Sequence, residues 1–537
     1  MKYLIFLLSS SILLANSWNK LFYFKDNKNI YQDQFFLSSS HTPKDELNTT
    51  INLLKSTQAK DIACNFPARY TYIKNHYKIP KQDLSLCQEL NKFLKTFKKD
   101  IISLAFSSEY INSPGSAFGH IMVLLRNQNE PIELASAVHF AAKTDTDRGF
   151  TYLKNGLNGK YDSYFIHEPF FKKIYHYNTI QQRSIHIYDL NYSKQQIKLL
   201  LYHLFELRKA KFKYYFLNKN CASRTSEFLS IASKQKTKNH FYYLPIDTLK
   251  ANKQSISSHQ KLIPLINKLD YLLNDMNKTS KKDFKKIIKN NLTPDNNISR
   301  DTKQALQYYT TLNFKKWGRS FKNYDDIINL TYKPKPIIDN TPHPLEKSKP
   351  SNLTIGYSDK SLYLEYRPLF TDLEDVHYQN ESSLVLLTPK ILIKDKNIKL
   401  KELKILELIS MPTEKIYYKT PSFKVSSILN RENNKNQLKL ENELGVGRTF
   451  GNNKIKLNYL LGLGLSNIDP YLKASTNINI YPKRNFKIGL QSYIKRSYKE
   501  EYIQNKLFMS YQNKLLYTLG VEKSQNTNLF LKLKYNF

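Results

Sequence analysis

The last third of the chain alternates apolar and polar residues. In residues 438–446, 455–465, 515–521 and 529–537, every second position except Asn442 is apolar or aromatic, and the positions between are mostly Lys, Asn, Glu or Gly. A period of two residues places each set on one face of a β-strand. Roughly twelve such segments follow residue 352, which predicts an antiparallel transmembrane β-barrel of about 12 strands, apolar outside and polar inside. A soluble β-sandwich is the alternative.

The first 330 residues combine helical spacing with short apolar strands. Thr42 and Pro43 begin one predicted helix, and a capping box of Ser193 and Gln196 begins another over 194–211. Strands are predicted at 101–106, 121–125, 133–141 and 212–217, with a loop-rich cap over 146–190. The fold class is therefore α+β. The predicted domains are a helical N-terminal subdomain (18–100), a core (101–250), a helical extension (251–332), a Pro-rich linker (333–351) and the barrel (352–537).

Residues 1–17 have the pattern of a secretory signal peptide. Lys2 precedes an apolar run over 3–14, and the small residues Ala15 and Ser17 occupy the cleavage positions. That run is too short to favour a membrane span, and no later apolar run reaches eighteen residues. We therefore expect the N-terminal domain in the periplasm, with the barrel in the outer membrane.

The formal net charge of +38 favours attraction to an anionic surface such as phospholipid head groups. General enrichment in Lys explains the charge equally well. Because the basic residues are dispersed and the chain carries an export signal, we predict no nucleic-acid partner.

Cys221 combines features of a reactive thiol. It follows the aromatic strand 212–217 and begins an amphipathic helix, where the helix dipole and Arg224 favour a thiolate of lowered pKa. His120 is the best candidate for the base. The alternative is a buried cysteine that acts as a small apolar residue.

The chain has three cysteines, and an odd number in an oxidising compartment indicates one free thiol. Cys64 and Cys87 could pair, which would leave Cys221 unpaired. The alternative is that all three stay reduced.

Several motifs in order carry a family resemblance. They are Cys64-Asn65-Phe66-Pro67-Ala68-Arg69-Tyr70, Tyr110-Ile111-Asn112-Ser113-Pro114, Phe118-Gly119-His120, Tyr214-Tyr215-Phe216 and Asn220-Cys221. Residues 30–250 resemble the Lnb-type N-terminal periplasmic domain family. That family is similar to permuted papain-like thiol enzymes, in which the histidine precedes the cysteine, as His120 precedes Cys221 here. The barrel is a departure from relatives whose tail consists of membrane helices.

The resemblance implies site residues and a reaction class. His139, on the strand after His120, would orient the imidazole, and Arg69, Asn112, Ser113, Asn220 and Arg224 are candidates for substrate binding. A structural ion pair is the alternative for Arg69. The histidines at 167, 176 and 186 lack metal-ligand spacing, so we predict no metal and no cofactor.

The resemblance implies acyl transfer from phospholipid to an amine such as a lipoprotein N-terminus, through an acyl-thioester at Cys221. A cysteine peptidase or amidase acting on peptidoglycan peptides is the second hypothesis, and a non-catalytic envelope scaffold is the third. The expected partners are these substrates, the outer membrane and the barrel-assembly machinery.

Overall fold

The computed structural model describes residues 18–23, 35–98, 100–110, 118–144, 147, 149–233, 242–317, 323–337, 343–346, 351–358, 360–368, 374–376, 381–394, 397–415, 419–431, 437–452, 454–498, 500–524 and 526–537. The predicted signal peptide (1–17) and the candidate site residues Asn112 and Ser113 lie outside these ranges. The chain divides into two compact units, Met1–Asn340 and Thr341–Phe537.

The first unit contains α-helices throughout its length. They are α1 Pro43–Leu54, α2 Ala59–Asn65, α3 Pro67–His76, α4 Gln88–Lys95, α5 Gly149–Leu157, α6 Phe170–Lys173, α7 Lys194–Leu207, α8 Cys221–Ser230, α9 Pro245–Ala251, α10 Leu265–Asp275, α11 Lys278–Asn290, α12 Arg300–Trp317 and α13 Tyr324–Ile328. Thr42 caps α1 through the N–H of Asp45, and Ser193 and Gln196 form the predicted capping box of α7. A π-helix, Ile174–Ile180, follows α6 directly.

One antiparallel sheet forms the centre of this unit. Its strands are β1 Ile101–Ser107, β2 His120–Arg126, β3 Ser136–Ala142, β4 Tyr161–Pro169, β5 Ile185–Leu190, β6 Phe212–Tyr214 and β7 Ile256–Leu262. Their order across the sheet is β6-β4-β3-β2-β1-β5-β7. Side chains of β1, β2, β3 and β5 pack with Phe170 and Tyr177 in one buried cluster, so α6 and the π-helix cover one face of the sheet.

Two sequence predictions need correction here. The segment 146–190 is not a loop-rich cap, because it supplies α5, α6, the π-helix and two strands of the sheet, β4 and β5. The segment 251–332 is not wholly helical, because β7 adds a strand beside β5. The middle of β7 is solvent-exposed at an edge of the sheet, so its sequence shows no apolar alternation.

Arg69 is fully buried and holds the N-terminal helices together. Its guanidinium pairs with Glu46 (2.9 Å) and Glu206 (3.3 Å) and donates to the carbonyl of Phe35 (2.5 Å). Glu206 also accepts the backbone N–H groups of Ala68 (2.7 Å) and Arg69 (3.0 Å) in the first turn of α3. The structure thus contains the ion pairs of the structural alternative for Arg69, and a role in substrate binding stays a prediction. A disulfide joins Cys64 and Cys87 in the same region.

The second unit is a closed barrel of twelve antiparallel strands, as predicted. They are β8 Asn352–Ser358, β9 Ser361–Arg367, β10 Glu381–Lys394, β11 Asn397–Met411, β12 Ser422–Arg431, β13 Leu438–Gly451, β14 Ile455–Ser466, β15 Asp469–Lys483, β16 Phe486–Ser497, β17 Glu501–Gln512, β18 Leu515–Lys523 and β19 Thr527–Asn536. Each strand pairs with its sequence neighbour, and β19 pairs with β8 to close the ring.

The barrel is apolar outside and polar inside. Exposed side chains on successive strands include Leu444, Val446, Leu461, Leu463, Leu472, Leu507, Leu519, Leu529 and Leu531. The alternate positions point inward, where Glu443 pairs with Lys424 (2.9 Å) and Lys473 (3.2 Å). Inside the barrel, the aromatic ring of Phe508 packs over Gly489, where a Cβ would lie 2.2 Å from that ring. This inside-out distribution suits a strand barrel in lipid.

Within the described ranges, every helix is too short or too polar to cross a membrane.

We expect Arg69→Ala to destabilise the first unit by about 3–5 kcal/mol, because Glu46 and Glu206 would stay buried without their partner. Urea unfolding of the full chain in detergent, followed by tryptophan fluorescence, measures this, since Trp18 and Trp317 both lie in that unit. Arg300→Ala is the control: Arg300 pairs with Asp301 while half exposed, so its loss should cost about 0–1 kcal/mol. Equal effects of the two variants would contradict the structural role of Arg69.

Candidate active site

Cys221 is the first residue of α8, and Asn220 fixes the start of that helix. The side-chain oxygen of Asn220 accepts the N–H groups of Ala222 (2.9 Å) and Ser223 (3.2 Å). Its amide nitrogen donates to the carbonyls of Phe216 (3.0 Å) and Tyr243 (2.8 Å). With a weaker bond to the carbonyl of Leu217 (3.4 Å), five backbone groups bond to this side chain, so Asn220 positions Cys221; its predicted role in substrate binding stays a prediction.

The thiol of Cys221 is buried, on a helix that packs against β2. It is unpaired and 4 % exposed, and the backbone N–H of Cys221 donates to the hydroxyl of Tyr214 (3.4 Å). His120 is the first residue of β2, so the two elements that carry the thiol and its candidate base are in contact, as expected for a nucleophile and its base.

Burial raises the pKa of the Cys221 thiol. Hydrogen bonding and the positive charge of Arg183 act in the opposite direction, but they do not outweigh desolvation. The expectation of a lowered thiol pKa, based on the helix start and Arg224, is therefore wrong. The thiol is protonated at neutral pH.

Gly119 immediately precedes β2 and determines how the chain enters that strand. Its φ is +93°, and a Cβ at this position would lie 2.7 Å from the carbonyl oxygen of Ser107. That region of the left-handed backbone favours glycine. Arg183 donates to the carbonyls of Ser107 (3.2 Å) and Ser108 (2.6 Å) on the neighbouring strand end. The strand end that carries His120 is therefore held in a crowded, fixed conformation.

His120 and His139 lie side by side on adjacent strands, with ring centroids 5.7 Å apart. His139 Nε2 is 2.6 Å from Glu168 Oε1, and Lys173 pairs with the same carboxylate at 2.8 Å. Within the described residues, His120 Nε2 and His139 Nδ1 are buried without a hydrogen-bond partner. Tyr177 packs 5.7 Å from the ring of His120. Glu168 therefore holds His139, and His139 lies beside His120 without a hydrogen bond between the two rings.

Both imidazoles are neutral at neutral pH. Burial lowers the pKa of His120 well below its usual value, and the positive charges of Lys173 and Arg183 lower it further. Burial and Lys173 lower the pKa of His139 to about 4, although its bond to Glu168 opposes this shift. Glu168 is ionised: burial raises its pKa, but the hydrogen bonds from Lys173 and His139 outweigh burial and lower it.

Arg224 is fully buried, pairs with Glu227 (2.7 Å) and lies over the rings of Tyr23 and Phe212. Its role in substrate binding stays a prediction. Arg183 is 2 % exposed; its positive charge favours the thiolate of Cys221, and burial lowers its own pKa to about 10.

Sequence reasoning missed four side chains around the thiol and the histidines. Tyr214 is in one of the quoted motifs but was assigned no role, although its hydroxyl accepts the N–H of Cys221 (3.4 Å). Glu168, Lys173 and Arg183 stand in segments without a recognisable motif. The pairing of β3 with β4, which brings Glu168 opposite Ala137 beside His139, is the only signal that would find them.

The arrangement joins a protonated thiol, a neutral imidazole and several N–H or O–H donors in one buried place. Such a set can activate a nucleophile by proton transfer and stabilise a developing oxyanion. Within the described part of the chain, no three His, Cys, Asp or Glu side chains are grouped as metal ligands would be.

Three family models match consecutive parts of the chain. Residues 89–255 match the Lnb N-terminal periplasmic domain, which includes the thiol and both histidines. Residues 11–76 and 341–537 match two domains of unknown function, DUF7843 and DUF7840. No curated protein matches the chain.

Solved porin structures match the barrel at low similarity. The KdgM porin is 12 % identical, with a TM-score of 0.24, and the match covers 35 % of this chain and 98 % of that one. The NanC porin is 6 % identical, with the same TM-score and coverage. A porin from Rhodopseudomonas blastica is 7 % identical, with a TM-score of 0.15, over 35 % of this chain and 99 % of that one.

The barrel lies in the outer membrane and the N-terminal domain in the periplasm. The apolar exterior of the closed barrel and the description of the family that matches 89–255 agree on this location.

We expect iodoacetamide to alkylate Cys221 slowly, with a rate that rises only above the ordinary thiol pKa of about 8.5. Tyr214→Phe removes a donor that favours the thiolate, so the midpoint should move to still higher pH. Rates on the full protein, read by mass spectrometry, measure this, because the other two cysteines are bridged.

The control for this measurement is Tyr243→Phe, which removes a hydroxyl that bonds to Ser226 on the same helix. It should leave the midpoint unchanged. A midpoint near pH 7 in the unmodified protein would show a thiolate in the resting state and would contradict the protonation states given above.

Proposed function

We propose that this chain, which carries an Lnb N-terminal periplasmic domain and an outer-membrane barrel, is an envelope thiol enzyme that forms an acyl-thioester at Cys221. The acyl group would come from phospholipid and pass to an amine such as a lipoprotein N-terminus. The donor and the acceptor follow from the resemblance to Lnb-type proteins, and the thiol chemistry follows from the site.

The observation that carries the proposal is the packing of α8, whose first residue is Cys221, against β2, whose first residue is His120. It supports a nucleophile–base pair, because Arg183 acts on the pKa of both the thiol and the imidazole. A buried cysteine that merely filled space would need neither a polar donor set nor an adjacent imidazole with an unpartnered nitrogen.

In the proposed reaction, His120 takes the thiol proton as the sulfur attacks the ester carbonyl. The S–C bond forms, and the carbonyl electron pair moves to oxygen. The protonated His120 then donates to the leaving alcohol oxygen as the C–O bond breaks, which leaves the thioester. An amine attacks the thioester, loses a proton to His120, and expels the thiol. His139, held by Glu168, orients His120 once the two rings approach to hydrogen-bonding distance.

The oxyanion needs donors near the sulfur, and the site supplies three candidates. They are the N–H of Cys221, the N–H of Ile121 and the hydroxyl of Tyr214. In the free site, the N–H of Cys221 donates to the hydroxyl of Tyr214, and the N–H of Ile121 acts on the thiol. A substrate oxygen that replaced these partners would be stabilised most when it carries charge.

Cys221→Ser should abolish N-terminal acylation of lipoproteins, because the hydroxyl is far harder to deprotonate by a neutral imidazole. Mass spectrometry of lipoprotein N-termini from cells with the unmodified or the altered chain measures this. Cys64→Ser with Cys87→Ser is the control, since those residues form the structural bridge and should lower only stability.

Changed muropeptides with unchanged lipoproteins would favour the peptidase or amidase in place of the acyltransferase. No change in either would exclude both enzymes and leave the envelope scaffold.

Activity should persist as the pH falls through 6.5, because the pKa of His120 lies well below its usual value and the base stays neutral. Lys173→Met removes a charge that lowers the pKa of both histidines, so the acid limb should move to higher pH. A pH–rate profile measures this. Lys172→Met changes the exposed neighbouring residue and is the control, which should leave the acid limb of the pH–rate profile in place. An acid limb at pH 6.5 or above in the unmodified protein would contradict a neutral His120.

A further inference from the structure

Exposed apolar side chains of the first unit are concentrated around α6 and the π-helix. Among the described residues up to 340, nine large apolar side chains are exposed, and five of them belong to this region: Leu134, Ile166, Phe171, Tyr175 and Ile180. We call these five residues the apolar patch. A concentration of this kind on a folded domain marks an interaction surface more often than chance exposure does.

The patch residues lie together because the same elements carry them. The N–H of Phe170 donates to the carbonyl of Ala135 (2.9 Å), which brings α6 beside Leu134. Ile166 is in β4, four residues before the first residue of α6. Phe171 and Tyr175 are four residues apart on the continuous α6 and π-helix, and each is 51 % exposed. They therefore share one outward face.

The opposite side of that helix reaches the site. Phe170 and Tyr177 are buried in the core, and Tyr177 contacts His120 while Arg183 lies 4.8 Å over its ring. Lys173 pairs with Glu168, the residue that holds His139. One short helix therefore has its apolar face in solvent and its buried face on the candidate catalytic histidines.

The composition of the exposed face indicates a lipid surface. Residues 170–181 read FFKKIYHYNTIQ, with no acidic residue and with the exposed Lys172 between the two exposed rings. Aromatic rings beside lysine suit the head-group region of an anionic membrane, where the rings enter the interface and the ammonium group meets phosphate. The net charge of +38 also favours attraction of the protein to an anionic membrane.

We infer that the apolar patch docks the N-terminal domain on the periplasmic leaflet of the outer membrane, with Phe171 and Tyr175 inserted among anionic phospholipids. Its purpose rests on the proposed function, because docking there would bring ester groups of the lipid to the helix that borders the two histidines. The docking itself is a separate physical event and can be measured without any turnover.

The test uses the full chain with Cys221→Ser, so that an introduced cysteine is the only free thiol. Tyr175→Cys is labelled with bimane, and the protein is inserted into nanodiscs of phosphatidylglycerol and phosphatidylcholine that contain doxyl-labelled lipid. We expect strong quenching at this position. Leu292→Cys, an exposed apolar residue at the end of α11, is the matched control and should show none.

Phe171→Glu in the same labelled protein should remove most of the quenching, and discs of phosphatidylcholine alone should reduce it. Equal quenching at positions 175 and 292, or quenching that Phe171→Glu does not change, would overturn the inference. Quenching only by separately added vesicles would also overturn it, because the patch would then meet another membrane.

Acylation separates this inference from the proposed function. Docking with no acyl transfer by the unmodified chain would overturn the enzyme and leave the surface standing. Acyl transfer that Phe171→Glu leaves intact, without quenching, would overturn the surface alone.

Discussion

The contact between the start of α8 and the end of β2 is the interaction on which the N-terminal domain depends for any chemistry. Asn220 uses both atoms of its amide to fix the helix start, and Gly119 lets β2 begin where a Cβ would collide with Ser107. Packing of α8 on β2 joins the two elements. These supports therefore fix where Cys221 and His120 lie, and a shift of about 1 Å in such a geometry is enough to lose catalysis.

Burial decides the protonation state of this site. A helix start and a nearby guanidinium favour a thiolate, yet desolvation outweighs them and keeps the thiol neutral. The same desolvation, with Lys173 and Arg183, keeps the imidazoles neutral. A neutral pair resists oxidation and alkylation in the periplasm, because the thiolate is the reactive form.

The sequence alone predicts elements whose pattern is local. The period of two residues after 352 predicts the barrel, and the capping residues Thr42, Ser193 and Gln196 predict helix starts. It fails where the signal lies in pairing between distant segments. The polar edge strand β7 shows no alternation of apolar residues. Glu168 reaches His139 only through the pairing of β3 with β4. Arg69 can be recognised as buried only once Glu46 and Glu206 are seen to surround it.

Closure of the barrel joins β8 to β19, two strands separated by all the others in sequence. Hydrogen-bonding groups on the outer edge of β8 therefore lack partners until the most distant strand arrives, and such late pairing folds slowly. Until β19 pairs with β8, that edge is open to pairing with other chains. The final segment, Thr527–Asn536, therefore both completes the ring and removes its last exposed edge.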